Sequence, residues 1–561
     1  MSNRSQSDDL RRSVVESTKR ELAEAKASPQ VQMQKQLQDP LGFTPDRLSE
    51  LNDLSGEGVY GSIQPPLEND LLGNQTHTVS LSLQQAISRT VGHNLDLQLA
   101  RLDAAASQTD IVAAEAVFDW TFFADSSFQI TDEPSIVAAI NGVPIGSETT
   151  RNRSLNFDAG LRKPLITGGQ IDITQRLDIF NNQSPGRQLL PDPARTTSLE
   201  VALSQPLLRG FGSDVALAQI RMNRNIERTT LEQLRLDLIN TVTRAEQAYW
   251  SLYQTYREAQ IAQQLLDRGV QTRDILKSRL AFDVRPAEYS DAVAQVESRR
   301  ADLIRTLNAL RQRSDELKVI INDPDLTVGG EAVLLPIDAP ADSPMKLSLV
   351  DSLETAFASR PEIQQAILSI DDASIREAIA DNARLPQLDL QLTGSLNGLG
   401  ATTLDSYDSL FERKFVDYLM GVSFEQPLGN RAAEAGFRRA RLERVRSVVA
   451  YRSAAQKVVA GVKAALRNVV TNYTLIEQTR IARLAAAENL RTLLVEEKNI
   501  RGLTAAFLDL KLRRQDALAT AQRAEIQAKV DYSSAIADLY AATGSTLKRN
   551  RIHLAAPNPG D

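Results

Sequence analysis

The chain has 561 residues, with 64 Lys and Arg against 71 Asp and Glu and a formal charge of −7. It has no Cys, which excludes disulfide staples, thiolate metal sites and cysteine nucleophiles, and its three widely spaced His (His77, His93, His553) leave almost nothing for a His-based metal or acid–base site. The mild acidity argues against a phosphate-backbone partner, so no nucleic acid is expected. No cofactor, metal site or enzyme activity is legible either: Gly210-Phe211-Gly212 is no nucleotide loop, and neither a Walker sequence nor a nucleophile–base pair is present.

Residues 1–78 read as a polar, partly ordered N-terminal extension with no identifiable chemistry. One short helix is predicted over about Asp8–Ala27, followed by turns at Pro40, Pro45, Gly56, Gly58, Gly61 and Pro65-Pro66. The first residues lack an apolar signal core, which on its face means a cytosolic start; the alternative is an export signal lying upstream. No stretch reaches the ~18–20 apolar residues of a spanning helix, which leaves a β-barrel open because its hydropathy signal is weaker.

An internal repeat organises the rest. At an offset of 266, Leu81-Ser82-Leu83 falls on Leu347-Ser348-Leu349, Ile87 on Leu353, Val91 on Phe357 and Ala100 on Ala366. At 221, Gln205-Pro206-Leu207 falls on Gln426-Pro427-Leu428, and at 218 Asp291 falls on Asp509. The chain is a tandem duplication, with 45 extra residues between the first two matched blocks of copy 1. Repeat 1 spans 79–335 and repeat 2 spans 336–546, with a tail at 547–561.

Each copy opens on a capped short helix, with Ser82 and Gln85 forming a capping box and Ser348 facing Asp351 at the same spacing. Longer helices follow at about Leu95–Val117 and Pro361–Ala383, the second with Pro at its first position. The period then changes to two. Copy 2 alternates Leu388, Leu390 and Leu392 with Gln387, Asp389 and Gln391, and returns near Leu419–Glu425. Copy 1 has strand candidates at Trp120–Gln129, Leu155–Leu161, Ile171–Ile179 and Leu199–Leu203, so strands occupy about 120–205 and 387–425.

Next come the rods, at about 212–282 and 430–500. Leu231, Leu234, Leu238, Val242, Ala245, Tyr249, Leu252, Tyr256 and Ala259 recur at three- and four-residue steps, as do Ala455, Val459, Val462, Leu466, Val469, Tyr473 and Ile476. This is a coiled-coil seam, and seventy helical residues would reach ~105 Å. The tyrosines Tyr249, Tyr253 and Tyr256 read as core. Turns at Asp283-Val284-Arg285-Pro286 and Asn499-Ile500-Arg501-Gly502 lead into return helices at about 287–321 and 504–542. The cluster Arg438, Arg439, Arg441, Arg444 and Arg446 reads as a solvated face.

In this order, the Leu-Ser-Leu openings, Arg384-Leu385-Pro386-Gln387-Leu388, the passage Ser204-Gln205-Pro206-Leu207-Leu208-Arg209-Gly210-Phe211-Gly212 with its counterpart Glu425-Gln426-Pro427-Leu428, Gly502-Leu503-Thr504 and Ala541-Ala542-Thr543-Gly544 resemble the TolC-type outer-membrane efflux and secretion proteins over about residues 79–546. The chain departs from the family pattern in having Phe118-Asp119-Trp120 for a Leu-Pro pair and Arg285-Pro286 for a tip Gly. With no Cys, the branch without a lipid anchor is expected.

The resemblance implies a mixed α and β fold. Tandem-duplicated long helical hairpins form a coiled-coil α-barrel, and short β-hairpins pooled from three copies form a trimeric transmembrane β-barrel. A single copy cannot close a barrel, and an open sheet edge does not survive in lipid. Twelve strands are expected, with the surplus of copy 1 as an extracellular or rim hairpin. The implied function is the passive outer-membrane exit duct of a tripartite efflux pump or type I secretion system. Its partners are a periplasmic adaptor (membrane fusion protein), an inner-membrane transporter and the lipid outer membrane.

Arg285, Pro286, Gly502, Leu503 and Thr504 are the expected adaptor-contact tips, and Asp283, Asp291 and Asp509 the candidate pore-gate carboxylates; a solvated helix charge is the plain alternative for each Asp. Trp120, Phe122 and Phe123 are candidates for a membrane-interface girdle or for packing against helices. A soluble coiled-coil scaffold without transport activity is the competing reading, but it leaves the period-two segments at matching points of both copies unexplained.

Overall fold

The computed structural model describes residues 41–553, except 68, 70, 72, 135, 137, 142, 146–148, 185–188, 282–283 and 500–504, together with a few positions before 41. Most of the helix predicted over Asp8–Ala27 lies outside the described residues.

Helix α1 (Pro45–Ser55) is capped by Thr44, whose hydroxyl accepts from the Arg47 N–H, and carries Pro45 in its first turn. Strand β1 (Thr78–Leu81) leads to α2 (Leu83–His93), where Ser82 and Gln85 form the expected capping box, and to α3 (Leu95–Glu115), capped by Asn94. Four strands follow: β2 (Thr121–Pro134), β3 (Thr149–Pro164), β4 (Gln170–Asn182) and β5 (Ala194–Pro206). Rod α4 (Ala218–Arg279) and return helix α5 (Pro286–Ile321) complete copy 1.

Strand β6 (Val333–Pro336) pairs in parallel with β1 and ties the inter-repeat segment to the start of copy 1. Copy 2 then repeats the plan with α6 (Leu349–Ser359), α7 (Pro361–Asn382), β7 (Gln387–Gly400), a short helix α8 (Thr403–Phe411), β8 (Phe415–Glu425), rod α9 (Arg431–Asn499) and return helix α10 (Ala505–Ala542).

The rods of 62 and 69 residues measure roughly 93 Å and 104 Å at 1.5 Å per residue. Their predicted seams are the core. Leu234, Leu238, Val242, Ala245, Tyr249, Leu252 and Ala259 are buried in copy 1, and Ala455, Val459, Val462, Val469, Tyr473 and Ile476 in copy 2. Each rod packs on its own return helix, and α10 also packs on α4, so the two hairpins share one body. Burial demands partners for the tyrosine hydroxyls. Tyr249 lies 3.1 Å from both the Leu81 carbonyl and the Asp338 carboxylate and accepts from the Asp338 N–H, while Tyr532 donates to the Ser343 carbonyl at 2.8 Å.

One expectation changes. The surplus of copy 1 is not confined to a hairpin apart from the sheet, although a small one pairs Ala138–Ile140 with Val143–Ile145. β3 and β4 lie inside one six-stranded antiparallel sheet of order β8-β7-β5-β4-β3-β2, each hydrogen-bonded on both sides. The reason is the alternation itself: Leu155, Phe157 and Leu161, then Ile171, Ile173, Leu177 and Ile179, extend the apolar side of the neighbouring strands without a break. The N-terminal extension, expected to be partly ordered, is tied to a rod. Arg47 pairs with Glu488 at 2.6 Å and Arg491 with Glu50 at 2.6 Å, which seats α1 on α9.

Candidate functional site

The register of the sheet sorts its side chains into two faces. One complete row across the six strands reads Phe122, Leu161, Ile173, Val201, Gly394 and Tyr418. The adjacent row, on the opposite face, reads Phe123, Gly160, Thr174, Glu200, Ser395 and Asp417. The first face continues through Leu155, Phe157, Leu390, Leu392, Met420 and Val422. It is open: Phe122 is 69% and Tyr418 86% exposed. The second face carries cross-strand ion pairs, Arg162 with Asp172 at 2.7 Å and Arg176 with Asp158 at 2.8 Å.

A sheet one strand thick, apolar on one side with only a short helix against it, has no place to hide that side in water. The strands, 11 to 16 residues long, match or exceed the ~9–11 residues that cross a bilayer as a tilted strand. Among the described residues no helix is long and apolar enough to cross a membrane.

At the rod end, the chain passes from sheet to helix through a knot of backbone contacts. The Leu207 and Arg209 N–H groups donate to the Leu388 and Pro386 carbonyls, and the Gly210 N–H donates to Asn382 Oδ1 at 2.7 Å. The turn between β3 and β4 is pinned to this knot, since Gly212 N–H donates to the Thr167 carbonyl at 3.0 Å and Thr167 Oγ1 lies 2.7 Å from Gln205 Oε1. A Cβ on Gly168 (φ +87°) would stand 2.1 Å from the Gly210 carbonyl oxygen, so only glycine admits this approach.

At the far end of the sheet α8 lies on the apolar face, its Ser406 carbonyl accepting from Thr197 Oγ1 at 3.0 Å. Glycines again permit the contact, because a Cβ on Gly398 would meet the Ser406 oxygen at 2.0 Å. Leu404 and Phe411 point away from the sheet and are exposed. The Thr402–Asp405 capping box was the available signal for this helix.

The predicted girdle residues divide between the faces. Trp120 precedes β2 and is exposed, with Lys163 Nζ 5.3 Å from its ring centroid, and Phe122 lies on the apolar face. Phe123 lies on the polar face, its ring under the Arg162 guanidinium at 5.2 Å and against Gly160.

At the opposite end of the molecule, Arg285 is exposed and caps α5, its N–H donating to the Glu288 carboxylate at 3.3 Å, with Pro286 as first helical residue. Val284, Leu276, Ala292 and Leu508 form a small apolar cluster beneath it. Asp291 and Asp509 come together along one groove with Glu288 and Asp516, and Asp509 pairs with Arg513 at 2.9 Å. Asp283, Gly502, Leu503 and Thr504 lie outside the described residues.

Above the tips, buried charges lock the hairpins together. Arg299 of α5 donates to the Leu265 carbonyl and Gln515 Oε1 at 3.0 Å and pairs with Asp516 of α10 at 2.8 Å. Burial pulls its pKa below the usual guanidinium value, against the pull of Asp516. Higher up, Arg483 is buried against Glu525 and donates to Ser55 Oγ at 2.5 Å and Asn52 Oδ1 at 2.8 Å, while Lys529 pairs with Glu57 at 3.2 Å. Burial raises the Glu525 pKa, but Arg483, Lys529 and Arg480 outweigh it and hold the carboxyl below the usual range. From there the extension crosses to copy 1, where Gln260 Nε2 donates to the Gly61 and Ile63 carbonyls. Residues 45–63 thus strap both hairpins, which polar composition alone did not reveal. One member of the arginine cluster is likewise structural, Arg444 pairing with Glu377 of α7 at 2.8 Å.

No curated protein matches the sequence significantly. The outer membrane efflux protein family matches residues 352–545. Among solved structures, the chain is similar to the Neisseria gonorrhoeae MtrE outer membrane channel, at 18% identity and a TM-score of 0.58 over 87% of this chain and 96% of that one. It is similar to the Campylobacter jejuni CmeC outer membrane channel at 14% identity and a TM-score of 0.59, over 86% and 92% of the two chains. The Vibrio cholerae outer membrane protein VceC matches at 16% identity and a TM-score of 0.57, over 82% and 96%. At these identities the likeness establishes the fold. Residues 352–545 thus match the outer membrane efflux protein family, and the fold of these outer-membrane channels runs through both repeats of the chain.

Proposed function

We propose that this chain is the outer-membrane exit duct of a tripartite efflux system, acting as a homotrimer. The observation that carries the reading is the open apolar face of the sheet, backed by an ion-paired polar face. Such a sheet suits a wall with lipid outside and water inside, and its two free edges, β2 and β8, call for the edges of neighbouring copies. Three copies bring their rods together as a helical tunnel below the wall. Passage is passive; an inner-membrane transporter supplies the energy through a periplasmic adaptor.

In this reading Arg285 and Pro286, with Gly502, Leu503 and Thr504, meet the adaptor. Asp291 and Asp509, with Asp283, form the carboxylate ring near the closed end, where repulsion and pairing with basic residues hold a gate. Trp120 and Phe122 sit at the membrane boundary. The efflux description of the matched family favours an efflux pump over a secretion system. The scaffold alternative has no use for the exposed face of Met420, Val422 and Phe424.

Cell fractionation followed by unheated gel electrophoresis tests the proposal. The expected result is a membrane-bound species that migrates as a trimer until boiled and that conducts ions in a planar bilayer. A soluble monomer or dimer overturns it.

A further inference from the structure

We propose that the wall of this duct contains eighteen strands, six from each copy, and that its outer mouth is consequently wider than a twelve-stranded wall would give. The inference rests on the threefold reading above and adds the place of the β3–β4 hairpin. That hairpin has the three properties of a wall element. It is hydrogen-bonded to β2 on one side and β5 on the other along nearly its whole length, with thirteen paired positions between its own strands from Asn152–Asn182 to Pro164–Gln170. Its outward residues, such as Phe157 and Leu177, continue the apolar face, while inward Asp158 and Arg176 pair on the polar face. Finally, its turn is pinned at Thr167 and Gly168 to the passage where β5 hands over to the rod.

Removing the hairpin from the wall would strip the pairing from the facing edges of β2 and β5. It would also leave two strands with an apolar face in water or an ion-paired face in lipid. At a strand spacing of about 4.8 Å and a tilt of about 40°, a closed ring of eighteen strands has a backbone diameter of roughly 36 Å, against roughly 24 Å for twelve. The rods and return helices number four per copy in either case, so size selection falls to the helical tunnel rather than to the mouth.

The absence of native Cys makes the test direct. Single-cysteine variants Phe157→Cys, Asn156→Cys and Val422→Cys are labelled with bimane and reconstituted into vesicles with and without brominated phospholipid. Label at 157 is expected to lose fluorescence, as is label at 422, which lies on β8 outside the hairpin, while label at 156 is unaffected. Quenching at 422 without quenching at 157 overturns the eighteen-stranded wall and leaves the duct standing. Quenching at neither position overturns the membrane duct itself, and this inference with it. An electron cryo-microscopy reconstruction of the trimer then reads the count: eighteen strands support the proposal, and twelve with a peripheral hairpin overturn it.

Discussion

The two repeats share their helices and differ in their sheets. Rods of 62 and 69 residues, each with a capped helix pair before it and a return helix after it, show how little the coiled-coil half has diverged in plan. Yet copy 1 supplies four strands and copy 2 two strands with a helix at their outer end. The difference is a matter of connectivity. A rod and its partner share one seam, so a length change in one helix needs a matching change in the other. A sheet accepts an inserted hairpin whenever two strands enter together, because the chain still leaves at the end where it entered and every ladder stays antiparallel. Growth by pairs of strands is therefore the variation that this architecture tolerates.

The largest expected effect separates the two buried arginines of the hairpins. Arg483→Ala leaves buried Glu525 with only Lys529 and Arg480 and removes the hydrogen bonds to Ser55 and Asn52, so it should cost about 3–5 kcal/mol and free the strap to proteolysis within 45–63. Arg299→Ala leaves behind Asp516, which is 38% exposed and can rehydrate, so about 1–3 kcal/mol is expected from thermal unfolding. Equal costs would break this distinction.

The sheet halves offer the next comparison. Phe157→Arg on the inserted hairpin and Val422→Arg on copy 2 should each destabilise the inserted trimer by about 2–4 kcal/mol, read from the temperature at which it dissociates on a gel. A harmless Phe157→Arg beside a damaging Val422→Arg would separate the hairpin from the wall.

A smaller effect is set by pH. The depressed pKa of Glu525 means that its pairing stabilises the strap above the ordinary carboxylate value near about 4.3, and that this contribution is lost as pH falls through the depressed value. Lys529 is shifted the other way. Burial lowers its pKa, but Glu525, Glu57 and Asp342 raise it more, so its contribution holds below about 10.4 and is lost as pH rises through the raised value. Amide exchange over 45–63 should quicken at both extremes and stay slow between them. Smallest are the helix caps, where Ser82→Ala and Ser348→Ala should each cost about 1 kcal/mol in thermal unfolding, Ser82 slightly more because its capping box is complete.

Much of the frame was legible because it is periodic. The Leu231–Ala259 and Ala455–Ile476 seams, the Ser82 and Ser348 caps and the alternating Leu388, Leu390 and Leu392 each announce an element through neighbours in sequence. The tips were legible as turns through Arg285-Pro286. Less could be read of what depends on contacts far along the chain. Ser55 meets Arg483 across 428 residues and Glu57 meets Lys529 across 472, so nothing near α1 in the chain signals that it is a strap.

The sequence by itself determined the duplication, through its matched blocks, and the rods, the capped helices and the existence of the six strands of the large sheet, because those follow from which neighbouring residues are apolar. Only the tertiary structure decided that Phe122, Leu161, Ile173, Val201, Gly394 and Tyr418 stand in one row, that Phe123 turns to the other face, and that β3 and β4 lie inside the six-stranded sheet. Strand register is a relation between segments. A slip of one residue would exchange the two faces, so partner and alignment are settled only when all six strands are hydrogen-bonded side by side.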